Sequence, residues 1–375
     1  MTITPNPTDL DETGSAAPAV AEDEVEAFAD KVFTDLLGAM NASAATIGLT
    51  LGWYQALADN GSLNSRELAD STSTDERYAR EWLEHQTVAG YLDVVDATAT
   101  AMERRFVLSP SGAEVLTNRE SLAYMAPFVS FLSTLGGNLD RLIEVYRTGD
   151  GFGWHEHGDG ARCGQAEANR PLFLHLLATE YLPSIGDVHA KLSAGARLAD
   201  VGCGMGWSAI GIAKAYPDVT VDGYDIDAPS IDRAIVNAAE AGLSGRVRFH
   251  TADVGTVDGE RYDLALAFEC IHDMPDPVGV LSAMRDMVEP GGDVIVMDER
   301  VGDVFTGESD PVEQMFYGFS LLCCLPDGRN APTSAATGTV MRRPTFESYA
   351  REAGYSKVEV LPIENDFFRF YRLTA

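Results

Sequence analysis

The sequence predicts an α/β fold: a Rossmann-like, mostly parallel sheet of seven strands with an antiparallel last strand, preceded by an α-helical winged-helix domain. From residue 196 on, apolar runs of strand length alternate with helical stretches of roughly 10–15 residues, the pattern of parallel strands joined by helical crossovers. The last two strand-like runs, 357–361 and 367–373, have no helix between them and should pair antiparallel. Upstream, three helical segments followed by two short strands around a polar turn make a winged helix-turn-helix.

Composition bounds the answer. The chain has 375 residues, too many for one ordinary domain at roughly 150 residues each. It is 45% hydrophobic and 23% charged, which is ordinary globular usage. With 58 acidic and 27 basic side chains the formal charge is −31. Such a polyanion is repelled by nucleic acid phosphates and by anionic membrane surfaces, so neither is an expected partner. Five cysteines, few and odd in number, argue against a disulfide framework and fit a reducing cytoplasm. No run approaches the roughly 20 uninterrupted apolar residues of a membrane helix. Residues 1–20 hold no Lys or Arg; they lack a secretion signal and read as a disordered tail.

The winged-helix domain is expected over 21–119. Val25, Phe28, Ala29, Val32, Phe33, Leu36 and Leu37 recur at helical spacing. A second helix carries Ile47 to Leu57 and stops at Asn60-Gly61. A short third begins at Ser65 as its cap, and Asp75 opens another through Trp82 to Gly90. Tyr91–Val95 and Arg105–Leu108 are the short strands, and Ser109-Pro110 starts a further helix. Residues 120–190 read as a helical linker and lid, broken by Gly136-Gly137 and by a Gly-rich loop from Gly151 to Gly164, with a long helix starting at Pro171. Over 191–375 strands are expected at 197–201, 219–224, 247–250, 262–268 and 294–297, with helices to Tyr216, from Pro229 to Gly242 and over 278–288. Pro290-Gly-Gly should turn the chain into the fifth strand. A helical insertion, 302–340, precedes the sixth.

The strongest local signal is Asp200-Val-Gly-Cys-Gly-Met-Gly, which leaves a strand and enters a helix. Gly202, Gly204 and Gly206 permit a tight turn and close backbone approach to a ligand, and Cys203 fills a non-glycine place. Their spacing is two and two, whereas the nicotinamide fingerprint is two and three. Asp225 ends the second strand about 20 residues on, where an acid accepts hydrogen bonds from ribose hydroxyls. Asp253 follows the third strand, within reach of an adenine amino group, and Asp200 can meet a cationic amine. One acid at each of three successive strand ends suits a positively charged nucleoside amino acid, S-adenosylmethionine, better than a pyrophosphate.

On these residues, 196–298 resemble the core of a class I S-adenosylmethionine-dependent methyltransferase. The turn Asp200–Gly206, the acids Asp225 and Asp253, and Pro290-Gly-Gly fall in that family's order. The final antiparallel pair and the winged helix extend the resemblance along the chain, to small-molecule O-methyltransferases of bacteria and plants and to actinobacterial relatives. The resemblance implies that Asp200, Gly202, Cys203, Gly204, Gly206, Asp225 and Ile226 line the cofactor. It implies that Asp253 and Val254 flank the adenine, and that Phe268 and Glu269 border the methionine side. A homodimer and a small-molecule acceptor follow from the same resemblance.

The acceptor side is expected after the fourth strand, at Glu269-Cys-Ile-His272-Asp-Met. His272 is the natural general base, since imidazole titrates near pH 6.5; Glu269 and Glu299 stand as candidates beside it. In the family a Trp follows the His-Asp pair, and Met274 stands there in this chain, which puts a phenolic acceptor in question. Oxygen, nitrogen and carbon acceptors all stay open, with a hydroxyl preferred. Glu269, Asp298 and Glu299 could serve magnesium, but no metal is assigned, and Glu299 is expected at the acceptor pocket or paired with Arg300. His155-Glu156-His157 should be exposed in its loop. Cys163, Cys323 and Cys324 lack metal spacing and read as buried thiols. Two further readings compete: a cofactor-binding protein that has lost or changed methyl transfer, and a DNA-binding regulator. Residues 1–119 hold 7 basic and 20 acidic residues, the wrong sign for phosphate.

Overall fold

A computed structural model describes residues 21–308 and 310–375; the expected disordered tail, 1–20, lies outside the described residues. The large sheet has seven strands: β1 Arg197–Val201, β2 Thr220–Asp225, β3 Val247–Thr251, β4 Tyr262–Phe268, β5 Val288–Glu299, β6 Lys357–Val360 and β7 Phe368–Thr374. Their order is β3-β2-β1-β4-β5-β7-β6. The first five are mutually parallel, and β7 runs antiparallel to both β5 and β6. Asp200 of β1 sits between Gly223 of β2 and Leu266 of β4.

Successive side chains of the sheet fall into two cores, as a strand's period of two requires. Leu198, Val221, Leu264, Leu266, Ile295 and Phe370 belong to one. Ala199, Val201, Ala265, Ala267, Val296 and Tyr371 belong to the other. Helices Trp207–Ala215 and Ala228–Glu240 cover the first face, and Pro277–Met287 and Arg343–Glu352 cover the second. A sheet buried on both sides accounts for the near-continuous apolar runs in its strands.

Pro290-Gly291-Gly292 does not precede β5 but lies inside it. Pairing jumps from Tyr262–Val288 to Leu264–Asp293, so the three residues bulge outward, with Gly291 at φ 86°. Proline has no N–H for the ladder, and glycine takes the left-handed backbone, so the bulge absorbs both.

The N-terminal region differs from expectation at its start. The first helix, Glu22–Thr50, runs on through the start of the expected second, whose remainder is Trp53–Asn60 after a break at Gly52. By length and composition that first helix could cross a membrane, a feature the apolar-run criterion did not register. The cap of Ser65–Thr72 is Asn64, not Ser65; its side chain accepts from Glu67 N while Glu67 accepts from Asn64 N. Asp75 and Ser109 cap their helices as expected. Strands Asp93–Val94 and Phe106–Val107 pair, and a third, Ser62–Leu63, joins them. Trp53, Tyr54, Leu57, Trp82 and Phe106 form the core. The Trp82 indole donates to Ala44 O at 2.8 Å, which ties the first helix to this domain.

The Gly-rich stretch is a helix, Trp154–Leu172, interrupted at Gly158 (φ 79°). A Cβ on Gly160 would lie 2.6 Å from Thr134 Oγ1, and one on Gly164 would lie 2.7 Å from Phe131 Cβ. These glycines let it pack closely on helix Ala126–Gly136. Pro171 lies near its end rather than starting a new helix, and the chain widens into π-helical Phe173–Tyr181. That π segment presses its backbone on the cofactor-side helix: a Cβ on Gly211 would sit 2.2 Å from Phe173 O. Backbone cannot step aside cheaply, so Gly211→Ala is expected to cost about 1–3 kcal/mol. A urea titration checks it, and an unchanged midpoint would contradict the packing argument.

Candidate cofactor and acceptor site

Crossovers leave β1 and β4 in opposite directions across the sheet, so their carboxyl ends open a crevice at the point where the strand order reverses. The turn after β1 and the loop after β4 meet there. Cys270 Sγ donates to Val201 O at 3.3 Å, and a Cβ on Gly202 would lie 2.7 Å from that sulfur. Gly202, Gly204 and Gly206 all have positive φ, at 69°, 50° and 81°, which glycine alone adopts freely. Nothing lies within 4 Å of the place a Gly204 Cβ would take, so the turn is open on that side.

Asp200 lies beneath the turn, fully buried, with Ser208 Oγ donating to it at 2.5 Å. Burial pushes its carboxyl up to about 7. Asp225 closes the turn from β2: one oxygen accepts from Gly204 N and the other from Asp227 N, both at 2.9 Å. Burial raises its pKa as well. Beside it Ile226 is 74% exposed. Cys203 is buried in the first core cluster, its thiol pushed well above the ordinary range by burial. Asp253 is exposed and accepts from Gly255 N at 2.8 Å, capping a short 3-10 turn, while Val254 is buried in the second core. Phe268 is buried against Phe173.

Glu269 has φ 54°, a left-handed backbone that a non-glycine residue adopts at a cost and that clusters at functional sites. One of its oxygens accepts from Asn169 at 3.0 Å and from Gln165 at 3.3 Å. The other is buried without a partner, and burial pushes the carboxyl up to about 8. His272 is buried with Nδ1 donating to Asp298 Oδ1 at 2.7 Å and Glu299 Oε2 at 2.8 Å from the same nitrogen. Burial alone would lower the imidazole's pKa; the charges of Glu299, Asp298 and Asp273 outweigh it and raise it well above the ordinary value. Glu299 therefore faces His272 and not Arg300, whose guanidinium donates to Asn365 O. The sets His272, Asp298, Glu299 and His272, Asp273, Cys324 hold atom types that metals use. At Nδ1, however, a proton already lies between the ring and Asp298, which leaves that nitrogen no lone pair to offer.

Several contributors were not expected. Arg162 is buried and makes a two-pronged pair with Asp227, at 2.7 and 3.0 Å. Asp227 in turn caps helix Ala228–Glu240 through Ser230. Arg162, Gln165 and Asn169 follow i, i+3, i+7 spacing on one face of Trp154–Leu172, a polar stripe that helical periodicity could have exposed. His157 is buried against Phe152 and Trp154, contrary to its expected exposure, and burial pushes its pKa down to about 4. Cys163 is exposed rather than buried, and Cys324 is half-buried beside His272. A cavity of about 260 Å³ lined by Lys191, Gly195 and Pro290 opens elsewhere, at the amino end of the sheet.

Residues 192–320 match the family described as methyltransferase domain, and 39–118 match the Rv2258c-like winged HTH domain. The chain carries a methyltransferase domain behind a winged helix. The chain is 36% identical over 98 residues to the ubiquinone biosynthesis O-methyltransferase of Cereibacter sphaeroides, covering 26% of this chain and 39% of that protein. It is 37% identical over 109 residues to the 27-O-demethylrifamycin SV methyltransferase of Amycolatopsis mediterranei, covering 28% and 40%. The match thus spans about two fifths of those relatives' length. Among solved structures, mitomycin 7-O-methyltransferase aligns with TM-score 0.68 at 20% identity, over 94% of this chain and 99% of that one. Human N-acetylserotonin methyltransferase, solved with S-adenosylmethionine, aligns with TM-score 0.69 at 14% identity, over 96% and 99%. These likenesses bear out the fold expected from the sequence.

Removing the Arg162 guanidinium would leave Asp227 buried and unpaired. Breaking one partner of such a pair costs roughly 3–5 kcal/mol. Arg162→Met is expected to unfold at correspondingly lower urea, with Asp227→Ser restoring part of the loss in the double variant. Additive losses would show that the two residues act independently.

Proposed function

We propose that this chain transfers a methyl group from S-adenosylmethionine to a small-molecule acceptor, with a hydroxyl as the preferred nucleophile. The supporting observation is the glycine turn pinned by Asp225 above the buried Asp200. Among the described residues that carboxylate has been taken out of water with one hydroxyl partner and no basic side chain beside it, and a cationic amine would restore its charge. The Asp225 oxygens each keep a lone pair for ribose hydroxyls, and the open side of Gly204 admits a ligand against the backbone. The residues present therefore fit the group. When bound, S-adenosylmethionine supplies an electrophilic methyl on a sulfonium. Asp200, Gly202, Gly204 and Asp225 hold it in this reading, with Ile226, Asp253 and Val254 at the adenine end and Phe268 and Glu269 at the methionine end.

On the acceptor side, Asp298 fixes His272 through Nδ1, leaving Nε2 to handle the acceptor's proton. The insertion supplies a cover: Phe319 stacks on Phe131 at 5.6 Å, so helix Pro311–Phe319 joins the crevice to the helices upstream. The cover excludes water and orients the acceptor. Within the winged helix, Arg77 pairs with Glu81 and Arg80 with Glu76. Those two cations are engaged by acids of the same helix, which disfavours DNA as a partner.

We also infer a homodimer through the first helix. Val25, Phe28, Val32, Phe33, Leu36, Leu37 and Met40 stand 44–68% exposed along one helix. A second copy of that stripe is self-complementary under twofold symmetry, as C2 interfaces are. Phe28→Glu with Phe33→Glu should convert the dimer to monomer in sedimentation equilibrium; a monomeric parent protein would refute the assignment.

Calorimetry tests the cofactor. Asp225→Ala should weaken S-adenosylmethionine binding by about 1–3 kcal/mol through unpaired hydroxyls, and unaltered affinity would remove Asp225 from the site. His272→Ala should retain that affinity yet release no S-adenosylhomocysteine from a panel of hydroxylated small molecules. pH supplies a third readout. Asp200 is protonated below about pH 7 and then offers no counter-charge. Affinity should fall as pH drops from 8 to 6, with proton release on binding visible as a dependence of the heat on buffer. A flat profile would mean Asp200 does not face the amine.

A further inference from the structure

The carboxylates Asp298 and Glu299 crowd one edge of His272 and leave the other edge of the ring to the cover segment. That edge is taken by Cys324, from the π-helical turn Ser320–Cys324. Its sulfur, a His272 ring nitrogen and an Asp273 oxygen all lie within 4.8 Å of one another. Thr339 Oγ1, buried and without a hydrogen-bond partner among the described residues, lies near the same sulfur. With Asp298 on His272 Nδ1, the thiol, the imidazole and a carboxylate are the parts of an activated nucleophile.

We propose that Cys324, His272 and Asp298 form a thiolate–imidazolium–carboxylate triad, and that the pair Cys324–His272, not the imidazole alone, is the proton acceptor on the acceptor side. The proposal deepens the methyl-transfer reading and rests on it for its catalytic consequence only. With Asp298 holding the ring protonated at Nδ1, His272 can give up its other proton only if something else carries negative charge. The thiolate does. When the acceptor's O–H breaks, His272 Nε2 gives its proton to the Cys324 thiolate, forming S–H, and takes the acceptor's proton in its place, while the electron pair stays on the oxygen that forms the bond to carbon. No external oxidant or reductant enters.

The surroundings agree in sign. The neighbouring Cys323, His272 and Thr339 hold the Cys324 thiol well below its ordinary range, against its loss of water. Other titratable groups face it. His157 is neutral above about pH 4. Asp327 is pushed up to about 7 and Glu269 to about 8, in both cases by burial. Asp273 lies with its carboxylate 4.0 Å from His272 Nε2. Burial pushes the Glu299 and Asp273 carboxyls up, while the His272 ring holds Asp298 low.

Alkylation of the full chain, treated with chelator, tests the proposal without any acceptor. Iodoacetamide forms an S–C bond with loss of iodide, and the thiolate alone reacts, so the rate against pH reports its titration. Mass spectrometry should find Cys324 labelled at pH 6, at least tenfold faster than the exposed Cys163 in the same molecule. Asp298→Asn and His272→Gln should move the Cys324 onset up by a pH unit or more. Thiolate absorbance at 240 nm, compared between parent and Cys324→Ser at pH 6, reads the charge where the reagent cannot enter. Equal absorbance, a Cys324 onset near the ordinary thiol value of about 8.5, or an onset indifferent to His272 would overturn the proposal. S-adenosylmethionine calorimetry on the same samples separates the two readings: absent heat with early labelling sinks methyl transfer and leaves the triad standing.

Discussion

Desolvated carboxylates at the carboxyl edge of the sheet govern this molecule's chemistry. Asp200, Asp225, Asp227, Glu269 and Asp298 all sit at strand ends or in the turns that follow them, and each is wholly or partly withdrawn from water. An ionised carboxylate in such a place must find hydrogen bonds, a cation or a proton. Four of them show how differently this is met. Asp227 has Arg162 and is held low. Asp298 has the His272 imidazolium and is held low as well. Asp225 has two backbone N–H groups, and Asp200 has a serine hydroxyl; burial still wins and both are raised. Asp227 and Asp298 have built-in basic partners, whereas Asp200 and Asp225, which have none, lie beside the open glycine turn. A positively charged ligand is what the second kind lacks, and a chain of net charge −31 draws cations toward it at long range.

What the sequence made legible was local. The strands follow from apolar runs, and the glycine turn with Asp200 and Asp225 follows from a short motif in a strand-to-helix context. Arg162, Gln165 and Asn169 were not legible because their partners are distant in sequence: Gln165 and Asn169 lie 104 and 100 residues from Glu269, and Arg162 lies 65 from Asp227. The same segment misled in a second way. Glycine weakens helices by about 1 kcal/mol each, so its glycines argued for a loop. Close packing on Thr134 and Phe131, which no larger residue allows, outweighs that propensity.

The first helix shows the converse. Its apolar spacing was plain, and an apolar stripe on a helix signals a face that is to be covered. Pattern does not say by what. Within one chain the stripe from Val25 to Met40 stays open, while Ala45 and Gly48 near the helix end are buried. A Cβ on Gly48 would lie 2.2 Å from the Trp82 ring, so this end is locked into the winged helix. The helix thus has two parts, one anchored and one projecting, which suits a segment that docks on a second copy.

These elements connect the projecting helix to the crevice by direct contact. Thr46 of the first helix reaches Val129 O on helix Ala126–Gly136 at 3.4 Å. Phe131 of that second helix stacks on Phe319, and Trp154 packs edge-on against Phe131. Phe319 leads directly into the π turn that ends in Cys324, and Asp327 a few residues on accepts from Trp154 N at 2.7 Å. A side chain facing His272 is therefore positioned by a stack of aromatic contacts that ends on the helix bearing the open stripe. Packed interiors transmit displacement because they hold few voids. Whatever covers the first helix accordingly bears on the placement of Cys324, and the edge of His272 that faces Cys324 is held by the N-terminal helices as much as by the sheet.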